Sequence, residues 1–150
     1  MKQNVLPTNT CFDDAMDFIM VLIRENKAED IYLCHGLVTP DPKKNIGNKK
    51  TYSHGWIYDE QTNSCMQWGI LDGKKVGIRG DKGKFYADMG VHKITYYTPK
   101  QAMYYSWLYD FFGPWEPEYM KLCGDSSVKK RVYDPDFPIA RFKKHLDEHH

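Results

Sequence analysis

The stretch Thr51-Tyr52-Ser53-His54-Gly55-Trp56-Ile57-Tyr58-Asp59 constrains this chain more than any other. Its side chains alternate as they do along a β-strand. Tyr52, His54, Trp56 and Tyr58 fall on one face, and Ser53, Gly55, Ile57 and Asp59 on the other. Three aromatic rings on one face belong against a core. An imidazole set among them must find a hydrogen-bonding partner there, because burying it without one is costly. The strand therefore predicts both a hydrophobic layer and a polar group that reaches into it.

The remaining segments predict what that layer packs on. Asn9 or Thr10 can cap a helix from Cys11 to about Asn26, with Asp13 and Asp14 in its first turn. Phe12, Ala15, Met16, Ile19, Met20, Leu22 and Ile23 form its apolar stripe. Residues 30–39 read as a strand, and 40–50 as a polar, lysine-rich loop. Residues 65–71 pair back on the anchor strand through a turn at 61–64, and Asp72-Gly73 turns into a short strand at 75–78. Residues 80–84 read as a loop and Val91 to Tyr97 as a strand. Thr98-Pro99-Lys100-Gln101 opens a helix with a capping box. That helix runs to Gly113-Pro114. A helical turn follows at 116–122, then a strand at 128–133, a turn at 134–138 and a frayed helix from Ile139. The pattern predicts an α+β fold, a mostly antiparallel sheet packed against the N-terminal helix with a second helix at about 98–113. The 150 residues fit one domain, with a polar tail at about 145–150.

Composition narrows the function classes. A net charge of +1 gives no field to draw nucleic acid or an anionic membrane. No apolar run approaches the roughly 20 residues of a membrane span, and the N-terminus lacks a secretory core. The four cysteines, Cys11, Cys34, Cys65 and Cys123, have no zinc-site spacing. They read as reduced thiols in a cytoplasmic protein, with no metal and no cofactor expected.

Chemistry concentrates at three positions. A thiol at the start of a helix meets unpaired N–H groups and the positive end of the dipole, and both favour thiolate. Asn9 and Thr10 beside it can add an oxyanion donor. His54 can serve as the base, and Asp72, closing the next strand, can orient it. Gln67 and Asn63 are further candidates for the orienting role. Each residue also has a plain structural role: Cys11 as packing, His54 as a satisfied core histidine, Asp72 as half of a turn. Trp115, within Gly113-Pro114-Trp115-Glu116-Pro117, either plugs the core or walls a cleft. Tyr104, Tyr105, Trp107 and Tyr109 cover several helix faces, so some stay exposed, as residues of a contact surface do.

A cysteine opening a helix, then His54-Gly55-Trp56 on a strand, then Asp72 after the next strand resembles transglutaminase-like and papain-like cysteine enzymes. The resemblance implies acyl transfer or amide hydrolysis on a protein or peptide, with Cys11 as nucleophile, His54 as base and Asp72 as acid. Asn9, Trp56, His35 and Trp115 would then line the substrate. Phe12 stands where those families commonly carry tryptophan. Cys34-His35-Gly36, His54-Gly55-Trp56, Tyr97-Thr98-Pro99 and Phe112 to Glu116 together resemble a family of small uncharacterised phage and bacterial proteins. That likeness admits a non-enzymatic module that binds a host protein. Cys34-His35-Gly36 taken alone resembles the opening motif of ADP-ribosyltransferases, in which the histidine would hold the NAD ribose.

Overall fold

The computed structural model describes residues 5–40 and 50–123. In chain order these form β1 (Leu6–Pro7), α1 (Cys11–Arg24), β2 (Ile31–Val38), β3 (Tyr52–Asp59), β4 (Ser64–Leu71), β5 (Lys74–Asp81), α2 (Lys82–Met89), β6 (Val91–Tyr97), α3 (Pro99–Tyr109) and α4 (Pro117–Lys121). The fold is α+β, and all the strand pairs are antiparallel, in the order β1-β4-β3-β2-β6 with β5 on the far side of β4.

Local chemistry explains most boundaries. α1 ends at Arg24, two residues before the expected Asn26, because Asn26 takes the left-handed conformation (φ 57°). Its N–H donates to Ile23 O, and Lys27 N–H reaches back to Leu22 O at 2.8 Å, a Schellman closure with asparagine in the glycine position. α3 begins on the expected capping box. Thr98 Oγ1 accepts from Gln101 N–H, and Gln101 Oε1 accepts from Thr98 N–H. It stops at Tyr109, before Gly113, as Asp110 turns left-handed. The last strand, turn and helix expected beyond residue 124, and most of the lysine loop, lie outside the described residues.

Two elements were not anticipated. β1 is two residues long and carries no periodicity. α2 replaces the loop expected at 80–84: β5 runs on to Asp81, whose Oδ2 caps the new helix at Lys84 N–H, 3.0 Å away. Signals for it are present in the chain. Asp81 is a capping residue, Phe85 and Met89 are spaced i, i+4, and Gly90 ends the helix with φ 60°.

The sheet is covered on both faces. α1, α3 and α4 cover one with Ala15, Met16, Ile19, Ala102 and Met120, which meet Leu33, Ile57 and Tyr97. α2 covers the other with Phe85 and Met89 against Cys34, Val38, Trp56 and Cys65. Gly55 lies on the α1 face, and a Cβ there would stand 2.9 Å from the Phe12 ring and 3.3 Å from Phe12 Cα. Only glycine lets the first turn of α1 rest directly on β3.

The strands around α1 part to make room for it. β5 occupies one edge of β4 along Ser64–Leu71. On the other edge β3 pairs only through Ile57–Asp59, and β1 takes Gly69 and Ile70. β3 and β4 thus splay beyond Trp56, and β1 enters the wedge between them. Residues 8–10 lead from β1 into α1, so the helix starts at the mouth of this wedge. The chain returns to the same place later: Ser53 N–H donates to Leu122 O at 3.0 Å, and Cys123 pairs with Ser53 in a parallel bridge.

Candidate functional site

His54 lies on the α2 face of β3, 8% exposed, between Tyr52 (ring centroids 6.0 Å apart) and Trp56 (5.9 Å). Its polar partner is Gln67 on β4: Nε2 and Oε1 are 3.0 Å apart across the widening gap. Burial pulls the imidazole pKa down to about 4, with the Gln67 bond opposing it, so the ring is neutral at pH 7.

Cys11 is the first residue of α1 and half-buried. The preceding turn is shaped by Asn9, exposed and left-handed at φ 59°, a conformation asparagine accepts more readily than most residues. Thr10 holds the N-cap position, but α1 has no side-chain cap. The Thr10 hydroxyl is committed elsewhere, to Asp14 Oδ2 at 3.0 Å. Asp14 is a buried hub. It also accepts from Thr8 Oγ1 at 2.8 Å and from Lys75 Nζ at 2.7 Å, tying the lead-in, the helix and β5 together. A shallow groove lined by Asp14, Asp17, Phe18, Val21, Trp68 and Lys75 runs beside it. Replacing Asp14 by alanine takes the acceptor from two part-buried hydroxyls and releases Lys75 to solvent, and we expect a loss of about 1–3 kcal/mol in urea unfolding at pH 7.

Strand alternation separates the body of α1 from the His54 ring. Gly55 faces the helix, so His54 faces away from it. An approach of the thiol to the imidazole passes the edge of β3 that β4 leaves, where Leu122 and Cys123 lie against Ser53. The start of α1 lies over this part of β3. Phe12, its neighbour, rests on Gly55. Tyr52, whose ring touches His54, has its pKa pushed up to about 12, first by burial and then by the charge of Cys11.

Asp72 does not join this group. It sits exposed at the tip of the β4–β5 hairpin, φ 52°, followed by Gly73 at φ 77°. That is five residues beyond Gln67, about 17 Å at the rise of a strand. The position favours a residue that tolerates a left-handed turn, and aspartate is there for that reason. Gln67, half-buried and on the strand itself, meets the ring instead. Gln67 is one of the two further candidates that the sequence offers for this role, and it shares a face of β4 with Cys65.

Three of the four expected substrate-lining residues are core. Trp56 is 0% exposed and Trp115 4%, with Trp115 Nε1 donating to Phe111 O at 2.9 Å. His35 is 0% exposed and packed by Phe12, Tyr97 and Trp115 at 4.9–5.0 Å between ring centroids. A Cβ on Gly113 would stand 2.5 Å from its ring. His35 presents no surface to a nucleotide, and neither of its nitrogens has a hydrogen-bond partner among the described residues. Only Asn9 remains at the surface.

Among the described residues no three of His, Cys, Asp and Glu are grouped to hold a metal, and no helix is long and apolar enough to cross a membrane. Comparison with family models, curated proteins and solved structures finds no match to this chain.

Proposed function

We propose that the protein is a thiol-dependent acyltransferase or amide hydrolase acting on a protein or peptide, with Cys11 as nucleophile, His54 as base and Gln67 as the residue that orients the base. The contact between His54 Nε2 and Gln67 Oε1 carries this assignment. A carboxamide oxygen only accepts, so Nε2 holds the ring proton and Nδ1 keeps the lone pair. In this mechanism Nδ1 takes the thiol proton as sulfur attacks the acyl carbon. The C–N bond breaks, and the proton passes to the departing amine. Water or a second amine then attacks the thioester, its proton returns through the imidazole to sulfur, and the acid or new amide leaves. The uncapped first turn of α1 supports the oxyanion with its backbone N–H groups.

The test is a trapped intermediate. Incubated with a peptide thioester, the chain should gain one acyl group by intact mass, located on Cys11 by peptide mapping. Cys11→Ser should stay unmodified. Acylation spread evenly over the four cysteines would refute the assignment.

A partner-binding module is the second candidate, favoured by Met103 (39% exposed), Tyr104 (42%) and Trp107 (54%) on α3. Such a module keeps its partner when Cys11 is replaced by serine and loses it when Trp107 is replaced by alanine.

A further inference from the structure

The four thiols divide into two kinds. Cys34 and Cys65 are buried on the α2 face. Burial raises both pKa values, that of Cys65 to about 12, so neither thiol is readily ionised. Cys11 and Cys123 are only half-buried, and they converge on one short piece of β3 from opposite ends of the described chain. Cys123 is the bridge partner of Ser53. β2 fills one edge of β3 from Tyr52 to Asp59, so Cys123 must occupy the other, the edge that opens into the wedge. Paired residues in a ladder point the same way, which turns Cys123 to the face of Ser53 and Gly55, and it packs there against the α1-side core. Cys11 reaches the same place from above, since Phe12 Cα lies against Gly55.

From this convergence we infer that Cys11 and Cys123 form a reversible regulatory disulfide that caps the nucleophile. The oxidant is a low-molecular-weight disulfide such as oxidised glutathione. The Cys11 thiolate attacks one of its sulfurs, forming a mixed disulfide and expelling one glutathione thiolate. The Cys123 thiolate then attacks the Cys11 sulfur and expels the second. Two protein thiols are oxidised, one glutathione disulfide is reduced to two glutathiones, and the two thiol protons end on those products. Closing the bond needs Cα atoms about 4.4–6.8 Å apart, and both residues neighbour the Ser53-Gly55 stretch of β3. The regulatory meaning rests on the proposed role of Cys11, whereas the bond itself does not.

The test treats the full chain with oxidised glutathione, blocks remaining thiols, and maps peptides without reduction. A Cys11–Cys123 link should exceed links to Cys34 or Cys65 by more than tenfold. Alkylation of Cys11 should fall at least tenfold and recover with dithiothreitol. Cys123→Ser should arrest the reaction as a stable mixed disulfide on Cys11. A wild-type chain that also stops at the mixed disulfide, or links Cys11 to a buried cysteine, would overturn the inference. The map reads bond formation without any acyl donor, so a linked chain that takes no acyl group from a thioester upholds the disulfide and removes only the enzymatic role.

Discussion

Replacing His54 by alanine lowers the rate of Cys11 alkylation at pH 7 by about a hundredfold, the low end of what a positioned base contributes. The expected loss follows from the state of the ring. Burial holds His54 neutral down to about pH 4, and Gln67 reserves its Nε2. The Nδ1 lone pair can then take the thiol proton during attack. The pH profile separates this from a packing effect. In the wild type, iodoacetamide labelling of Cys11 should lose rate as pH falls through about 4 and the imidazole becomes charged. In His54→Ala that limb should disappear. Gln67→Leu, which removes the acceptor and lets the ring turn, should cost about tenfold while circular dichroism stays native. Labelling of Cys11 at the wild-type rate in His54→Ala would show that sulfur and imidazole do not meet round the edge of β3.

Acid should destabilise the fold well before the carboxylates titrate. His54 and His35 have pKa values lowered by burial to about 4 and about 3, against 6.5 for an exposed histidine. Below pH 6.5 the unfolded chain binds protons that the folded chain refuses. Stability is therefore full above that pH and falls as pH drops. Each histidine contributes a slope of about 1.4 kcal/mol per pH unit. The loss levels off near pH 4 for His54 and near pH 3 for His35. Together the pair removes about 7 kcal/mol between pH 6.5 and 4, comparable to the whole stability of many domains. Urea midpoints measured across that range should show the slope, and His35→Leu should halve it. A flat profile from pH 6.5 to 4.5 would mean that water reaches both rings.

Much of this architecture is legible in the residues alone. The alternation from Tyr52 to Tyr58 sets a strand with aromatic rings on one face. The i, i+3, i+4 stripe from Phe12 to Ile23 marks α1, and Thr98 to Gln101 marks the start of α3. These signals are local, written within two to four positions, so a single sequence carries them. α2 is fainter because its glycine and lysines weaken the stripe and leave only caps and one apolar pair. Cys11 and His54 stood out by residue type, since a thiol at a helix start and an imidazole among aromatics each call for an explanation.

Which groups meet is another matter. Strand spacing suggested Asp72 for the imidazole, but a two-residue hairpin carries that carboxylate into solvent and the ring bonds Gln67. His35 and Trp115 carried the right chemistry for a cleft, yet they pack on each other and under Phe12, Tyr97 and Tyr105. The Ser53–Cys123 bridge joins residues far apart in the chain, and no local pattern announces it. The chain by itself determined α1, α3 and the central strands with their buried faces, because those depend on period and propensity. Partner choice at His54, the wedge between β3 and β4 and the bridge from Ser53 to Cys123 were decided only by tertiary structure, because they depend on where one strand stops pairing with the next.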